Sequence, residues 1–374
     1  MVSTAILDNN PELAEAKRRG LSIIHRAEML ARLGVGLETL AVAGTHGKTT
    51  TSSMLASTLD AMGASPTFLI GGIVRSWGTN AHSGSGRYYV VEADESDKSF
   101  TYLSPAGVIV TNIETDHLDH YANLEEIYDQ FGKFISSVPP ALTYGFSEKC
   151  DARIVSWSAR GVGSVFTLRL PDGREVEGSV KQNPGKHNVA NAAAVLALID
   201  ALGLDVEDAA AKLAEFSGVR RRFDLVGEAA GVTVVDDYAH HPTEIAATIS
   251  AARNLDFKRI HVLFQPHRYS RAELFTKVLK NEFGSAFDAA DTVTFMDVYS
   301  AGEAPIPGIT GKTFLNVVLE HEGHPEARFV PRRIDVAPTM AGIAEPGDLV
   351  ITMGAGDVTA VGPLIIDALK EGEE

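Results

Sequence analysis

The sequence has one cysteine, Cys150, in 374 residues. A lone thiol excludes an internal disulfide and a multi-cysteine metal site, and leaves Cys150 as a small packing residue. No run approaches the ~20 apolar residues that a membrane-spanning helix needs. The opening MVSTAILDNNPELAEAKRRG lacks the basic-then-apolar order of an export signal. These absences predict a soluble, cytoplasmic protein. Positive charge is also scarce: 33 Lys+Arg stand against 49 Asp+Glu, a net charge of -16. Such a surface repels nucleic acid and anionic membranes. Phosphate substrates would require cations concentrated at a site, and Lys48, the run Arg220, Arg221, Arg222, and the pair Arg268 and Arg271 are the places where they gather.

What is present is ordinary globular material. Apolar residues make up 45% of the chain, enough to fill cores, and the length predicts two or three domains at roughly 100–200 residues each. Strand-like and helix-like segments alternate, which predicts an α/β chain with mainly parallel sheets. Residues 37–44, LETLAVAG, read as a buried strand, and residues 50–63 follow as a helix with apolar side chains at helical spacing. Residues 87–94 and 107–113 are further strands. Residues 164–180 alternate around Pro171-Asp172-Gly173 as an antiparallel hairpin would, and 187–203 form a strong helix.

A new unit begins near Ser217. From there, strand, polar turn and helix recur at 231–242, 259–270, 290–303 and 347–358. Strands with polar residues at their C-terminal ends predict a doubly wound sheet, whose ligands bind beyond those ends. The division expected is 1–38, 39–216 and 217–374. Residues 1–38 are too few for a domain of their own and read as a strand–helix–strand–helix tail of a third domain whose beginning lies outside this sequence.

The string Gly44-Thr45-His46-Gly47-Lys48-Thr49-Thr50 sits between a buried strand and a helix. A loop opening a helix presents free backbone N–H groups and the positive end of the helix dipole. Gly44 and Gly47 allow close approach of a phosphate, Lys48 brings a mobile positive charge, and the Thr49 hydroxyl suits a magnesium ion, so the loop predicts ATP binding. The full phosphate-loop pattern is not met, because Val42 stands where its first glycine would be. A second Gly-Lys-Thr, Gly311-Lys312-Thr313, follows a proline-rich turn and predicts only a surface helix start. Magnesium on ATP phosphates wants oxygen ligands. Glu92, Asp94, Glu95 and Asp97 at one strand end, with Asp116, His117 and Asp119 at the next, are candidates; alone, the first group reads equally as a solvated acidic turn.

In order along the chain stand GTHGKTT, EADESD, TNIETDHLDHY, HNVANAAA, RRRFD, DDYAHHPTE, FQPHRYSR, DVYSAGE and GAGD. As an ordered set covering nearly the whole sequence, they resemble the Mur ligases of peptidoglycan synthesis, and their alanine-adding branch in particular. The resemblance implies a P-loop-type central ATPase domain with a mainly parallel sheet and a Rossmann-like doubly wound C-terminal domain. It implies an ATP-dependent ligase that phosphorylates the lactyl carboxylate of UDP-N-acetylmuramate and lets the amine of L-alanine attack the acyl phosphate. Lys48 would hold the β/γ phosphates within the loop Gly44 to Thr50. Thr49 and Glu92 would bind one Mg2+, and His117 a second, with Mn2+ an alternative ion. His187, Asn188 and Asn191 would flank the adenine, although the two asparagines also suit a helix N-terminus. Arg222 and Asp237 would reach ATP from the C-terminal domain, which would close on a hinge near Phe216–Arg220. Tyr238, His240, Arg268 and Arg271 would face the muramate carboxylate and the amino acid, with Lys48, His117, Arg222, Asp237 and His240 the catalytic set. Arg220 and Arg221 read as surface or hinge residues. The family's N-terminal UDP-binding domain has no counterpart in this sequence, and its absence would weaken ligation. A ligase recycling a tripeptide onto the same sugar nucleotide, and an ATP-binding remnant without activity, are the competing expectations.

Overall fold

The computed structural model describes residues 1–374 apart from 4, 5, 7, 95–98, 115–123, 137, 139, 140, 161, 162, 182, 373 and 374. The chain divides into two compact units. Met1–Ser158, Val165–Val180 and Asn188–Ser217 make the first, and Ala159–Ser164, Lys181–His187 and Gly218–Glu374 make the second.

The first unit is built on a five-stranded sheet of β1 (Glu38–Ala43), β2 (Thr67–Val74), β3 (Thr79–His82), β4 (Tyr88–Glu92) and β5 (Gly107–Val110), in the order β3-β2-β4-β1-β5. All neighbours are parallel except the edge pair β2–β3. Leu40, Ala41, Val42 and Ala43 are all fully buried, as the near-continuous apolar run of a central parallel strand requires. One face packs Ala41, Ala43, Tyr89 and Val91 against Phe100, Phe131 and Phe134. The residues preceding the sheet form α1 (Pro11–Arg18) and α2 (Arg26–Leu33). Among the described residues, an isolated parallel bridge joins Val2 to His25 where two strands were expected, and part of the first expected strand lies outside the described residues. Arg26 pairs with Asp94, and the Tyr89 hydroxyl donates to the Leu30 carbonyl, so this segment is tied to the sheet.

Helix α3 (Lys48–Ala61) packs on β1, β2 and β4. It buries Thr51, Ser52 and Ser53. Their hydroxyls donate to the carbonyls of Gly47, Lys48 and Thr49 at 2.9, 2.9 and 2.6 Å. Back-bonding of this kind satisfies the hydroxyls, so a polar helix can sit in a core. Next come α4 (Leu124–Ser136), a sheet of β6 (Tyr144–Gly145), β7 (Ala152–Arg160), β8 (Gly163–Arg169) and β9 (Glu175–Val180), and helices α5 (Lys186–Ala201) and α6 (Val206–Leu213). β8 and β9 are neighbours joined through Gly173 at φ +90, the hairpin expected around Pro171-Asp172-Gly173.

The second unit carries a six-stranded sheet in the order β10-β11-β15-β12-β13-β14. Its strands are β10 (Asp224–Ala229), β11 (Val232–Asp237), β12 (Ile260–Phe264), β13 (Thr292–Phe295), β14 (Glu326–Phe329) and β15 (Leu349–Met353). All pairs are parallel except the β10–β11 hairpin. Its helices are α7 (Pro242–Arg253), α8 (Arg271–Glu273), which leads into a π-helical turn at Leu274–Val278, α9 (Lys280–Ser285), α10 (Gly311–Leu319), α11 (Arg333–Ile343) and α12 (Gly362–Glu371). Val235, Val262, Phe264 and Ile351 pack with Ile245, Phe283 and Phe314 on one face. Val234, Leu263 and Val350 pack with Met340 and Ile365 on the other. Helices therefore cover both faces, and this is the doubly wound arrangement the alternating strands predicted. Among the described residues, no helix is long and apolar enough to cross a membrane.

Near the start of β12, a buried charge cluster braces the second sheet. The Asp348 carboxylate is reached by Arg259 at 2.7 Å, by His261 Nε2 at 3.0 Å and by the Glu345 N–H at 2.8 Å, while His261 Nδ1 lies 2.9 Å from Thr292 Oγ1. Burial alone would raise the Asp348 carboxyl, but the bonds from Arg259 and His261 hold it down to about 2. A depressed carboxylate stabilises the fold above the unfolded-state value near 4 and ceases to do so as pH falls toward 2. Asp348→Asn is expected to remove about 2 kcal/mol of stability at neutral pH. It should also flatten the pH dependence of the melting temperature between about pH 4 and pH 2, read by thermal melts across that range. An unchanged acid limb would mean that Asp348 does not set it.

Candidate functional site

The residues singled out in the sequence fall into two groups, one in each unit. In the first, Gly47 is the N-cap of α3 at φ +82, and no side chain among the described residues caps that helix. The N-terminal amides of such a helix point toward an anion bound at its start. Gly44 sits at φ +124, where a Cβ would run into Thr111 Oγ1 and come within 2.9 Å of the Asn112 carbonyl. That explains glycine at this position twice over: by backbone conformation and by close approach. The loop is clamped from the end of β5. Asn112 accepts from the Thr45 N–H at its carbonyl (3.0 Å) and from the His46 N–H at Oδ1 (2.9 Å), and its Nδ2 donates to the His46 carbonyl at 3.0 Å. Thr111 Oγ1 also donates to the His46 carbonyl, and Thr45 Oγ1 accepts from the Glu114 N–H at 2.9 Å.

Lys48 folds its ammonium back onto the carbonyls of Gly44 and Thr45, which places a cation inside the loop's curve. The Thr49 hydroxyl donates to Glu92 Oε2 at 3.2 Å, and Glu92 Oε1 accepts from the Gly71 N–H at 2.6 Å. A hydroxyl and a carboxylate side by side are hard oxygen donors of the kind magnesium takes. Thr50 is buried in the first turn of α3. Asn188 and Asn191 are buried and bonded to each other at 3.3 Å, and Asn191 Oδ1 lies where a Cβ on Gly47 would stand 3.1 Å away. The structure thus brings together Gly44, Thr45, His46, Gly47, Lys48, Thr49, Glu92 and Asn191. His117 lies outside the described residues, as do Glu95, Asp97, Asp116 and Asp119.

The second group surrounds the end of β11. Asp237 accepts 2.8 Å bonds from the N–H groups of Phe223 and Ala239. Burial pushes its carboxyl up to about 6, against the pull of Arg222. Its bond to Phe223 fixes the turn that presents Arg222, whose guanidinium stands 5.2 Å from the Tyr238 ring and 3.9 Å from Glu244 Oε1. His240 Nδ1 lies 3.1 Å from the Tyr238 carbonyl and 3.3 Å from Glu244 Oε2. Burial holds the His240 imidazole down to about 4, against the attraction of Glu244. His267, stacked on Tyr299 and 6.0 Å from His240, is likewise held down to about 4 by burial, helped by nearby positive charge. Both rings are neutral at pH 7, so the cationic character here comes from Arg222, Arg268 and Arg271. Arg271 Nη1 is buried with no hydrogen-bond partner among the described residues. His187 also belongs to this unit, with its ring beside Gly185 and its imidazole held down to about 4 by desolvation.

Arg221, read as a surface or hinge residue, is half-buried and bonded to the ends of two strands. Arg221 donates to the carbonyls of Gly354 and Gly356 at 2.6 and 3.0 Å, lies 3.3 Å from Asp236 and stacks over Tyr238. It anchors the strand ends, whereas Arg220 is exposed. Asn112, Thr111 and Glu244 were not singled out in the sequence. Each lies within a string that was, at the end of a strand or the start of a helix, which was the available signal. The second Gly-Lys-Thr opens α10 as expected, and its helix end is already occupied: Asp297 Oδ1 accepts from the Gly311 N–H at 2.9 Å, and Thr310 and Thr313 form a capping box.

Residues 42–143 match the family model described as the Mur ligase middle domain, and residues 221–356 match that described as Mur ligase, glutamate ligase domain. The chain belongs to the Mur ligase family. This Mur ligase is 44% identical to the UDP-N-acetylmuramate–L-alanine ligase of Thermobifida fusca, over 99% of the chain and 83% of that protein. It is 43% identical to the protein of the same name from Streptomyces coelicolor, over 99% and 84%. Among solved structures, the UDP-N-acetylmuramate-alanine ligase of Thermotoga maritima aligns with a TM-score of 0.83 at 30% identity, covering 99% of this chain and 84% of that one. A murein peptide ligase of Psychrobacter arcticus shares the fold, with a TM-score of 0.68 at 24% identity over 98% and 84%.

Proposed function

We propose that this Mur ligase joins L-alanine to UDP-N-acetylmuramate at the expense of ATP, a cytoplasmic step of peptidoglycan precursor synthesis. The observation that carries the reading is the loop into α3, with glycines at positive φ, Lys48 inside the curve and the Thr49–Glu92 pair beside it. That combination suits a nucleotide phosphate chain with its counter-ion. Thr49 and Glu92 would hold Mg2+ or Mn2+, and His117 a second ion; the metal would neutralise phosphate charge. Residues 39–216 would form the ATP-binding domain and 217–374 the C-terminal domain.

The chain's own residues supply positioning and charge. Lys48 and the loop amides align the γ-phosphate with the lactyl carboxylate. An oxygen of that carboxylate bonds to the γ-phosphorus as the bond to ADP breaks. The unprotonated amine of alanine then bonds to the acyl carbon, phosphate leaves, and the amine gives up a proton. Arg222 and Asp237 would act at the ATP, and His187, Asn188 and Asn191 at the adenine. Tyr238, His240, Arg268 and Arg271 would face the carboxylate and the amino acid. The unpartnered Arg271 Nη1 supports this, because a buried guanidinium nitrogen calls for an anion. The relatives at 43–44% identity carry the name of the alanine enzyme, which favours alanine over a tripeptide.

The test is ADP release by the purified chain with ATP, magnesium and UDP-N-acetylmuramate, with product mass measured. Release that depends on L-alanine, with formation of the alanyl product, is expected. Release driven by a tripeptide and not by alanine would overturn the substrate assignment. No ADP release under any of these conditions would overturn the reading as a ligase.

A further inference from the structure

We infer that Glu303 is a positioning residue that holds Arg268 and Arg271 in their working geometry. The inference rests on the proposed role of those arginines as carboxylate ligands. Glu303 belongs to the segment after β13, and it reaches back to the segment after β12. Its Oε2 accepts from the Ser270 N–H at 3.0 Å, and its Oε1 accepts from the Ser270 hydroxyl at 2.6 Å. The same Oε1 lies 3.8 Å from Arg268 Nη1. One carboxylate therefore grips Ser270, one of the two residues between the arginines, at two points and neutralises part of the first arginine's charge.

The segment it grips is strained. Arg268 has φ +71, a left-handed conformation that a non-glycine residue rarely adopts. Such a conformation persists only where its surroundings over-determine it, and it concentrates at ligand sites. The constraints here are all visible. The Arg268 N–H donates to the Tyr299 carbonyl at 2.8 Å, and the Tyr299 N–H donates to the Pro266 carbonyl at 2.9 Å. His267 and Tyr299 form an isolated parallel bridge with their rings stacked. Ala301 at φ +49 and Gly302 at φ +87 then turn the chain sharply, and this turn delivers Glu303 to Ser270. Burial works against the charged form of Glu303, but the bonds from Ser270 and the nearby Arg268 keep its carboxyl below the ordinary value. It stays ionised through the neutral range.

A helix cap alone would not need this arrangement. Ser270 precedes α8, which spans only Arg271–Glu273, and the contact with Arg268 contributes nothing to capping. The product of the turn is two arginines on either side of a fixed serine, the first in a backbone conformation that directs its side chain away from the regular path.

The experiment compares Glu303→Ala, Glu303→Gln and Ser270→Ala in the full chain, with melting temperature, KM for each substrate and kcat measured for all three. Glu303→Ala is expected to raise KM for L-alanine at least tenfold while KM for ATP stays within twofold. Ser270→Ala should give an intermediate rise. Glu303→Gln should recover part of the loss, since an amide can accept from the Ser270 N–H and donate to its hydroxyl without neutralising Arg268. Unchanged KM for alanine in Glu303→Ala, or parallel losses for alanine and ATP that follow a fall in melting temperature in all three variants, would overturn the inference. Arg268→Ala separates this outcome from failure of the underlying reading. If it leaves KM for alanine unchanged, the arginine assignment falls. If it raises KM and Glu303→Ala does not, only the role of Glu303 falls.

Discussion

Lys48→Ala is expected to lower kcat/KM for ATP-dependent ligation by on the order of 10³-fold, about 4 kcal/mol of transition-state stabilisation. In the structure the ammonium donates to the carbonyls of Gly44 and Thr45, both within the loop it serves. Those carbonyls lie at a partly solvated site, so the cost of leaving them to water is small, about 1 kcal/mol. Fold and function should therefore separate: a melting temperature near that of the parent chain, with ADP release close to background. The decisive measurement is the pair of values together. A folded variant with parental ATP affinity and turnover would remove Lys48 from the chemistry and the loop's assignment with it.

Gly44→Ala should be nearly as damaging, for a reason that has nothing to do with charge. The new methyl group would press on Thr111 Oγ1 and the Asn112 carbonyl, at a backbone φ of +124. Conformational strain of this type costs about 1–3 kcal/mol before any clash is counted. The loop can relieve it only by leaving the clamp that Asn112 makes with Thr45 and His46. ATP affinity is expected to fall by about 10²-fold or more, the equivalent of roughly 3 kcal/mol, as read by nucleotide titration calorimetry. Adding Thr111→Ala removes one of the two obstacles and leaves the backbone carbonyl and the φ value in place, so it should rescue little. Full rescue would show that the side-chain contact alone explains the glycine.

Much of the architecture was legible because the physics that sets it is local. Leu40 to Ala43 announce a central parallel strand by being apolar on both faces, and the four strand–turn–helix repeats after Ser217 announce the doubly wound sheet. The loop at Gly44 to Thr50 was legible because glycine, lysine and threonine have few other reasons to stand between a strand and a helix. What escaped the sequence depends on long-range register. Asn112 clamps a loop more than sixty residues away, and nothing in its own neighbourhood says so. Arg221 read as a surface or hinge residue; its bonds to Gly354, Gly356 and Asp236 depend on where the ends of β11 and β15 meet. Val2 and His25 make a bridge among the described residues where strands were expected, and pairing of this kind is set by register, not by local pattern. Glu244 could be read as a helix-capping acid, yet its contacts with Arg222 and His240 appear only once the turn after β11 is folded.

Asp297 has a further consequence. Its carboxylate occupies the start of α10 in the manner of a permanent resident anion, satisfying the Gly311 N–H and also the Val298 N–H at 2.8 Å. A Cβ at Gly311 would run into the Met296 carbonyl, which is why glycine occupies this helix start. The chain therefore has two copies of one three-residue word, and the helix start at the second already holds a carboxylate of its own. At the second copy, the helix's first amide is answered from within the chain by the Asp297 carboxylate.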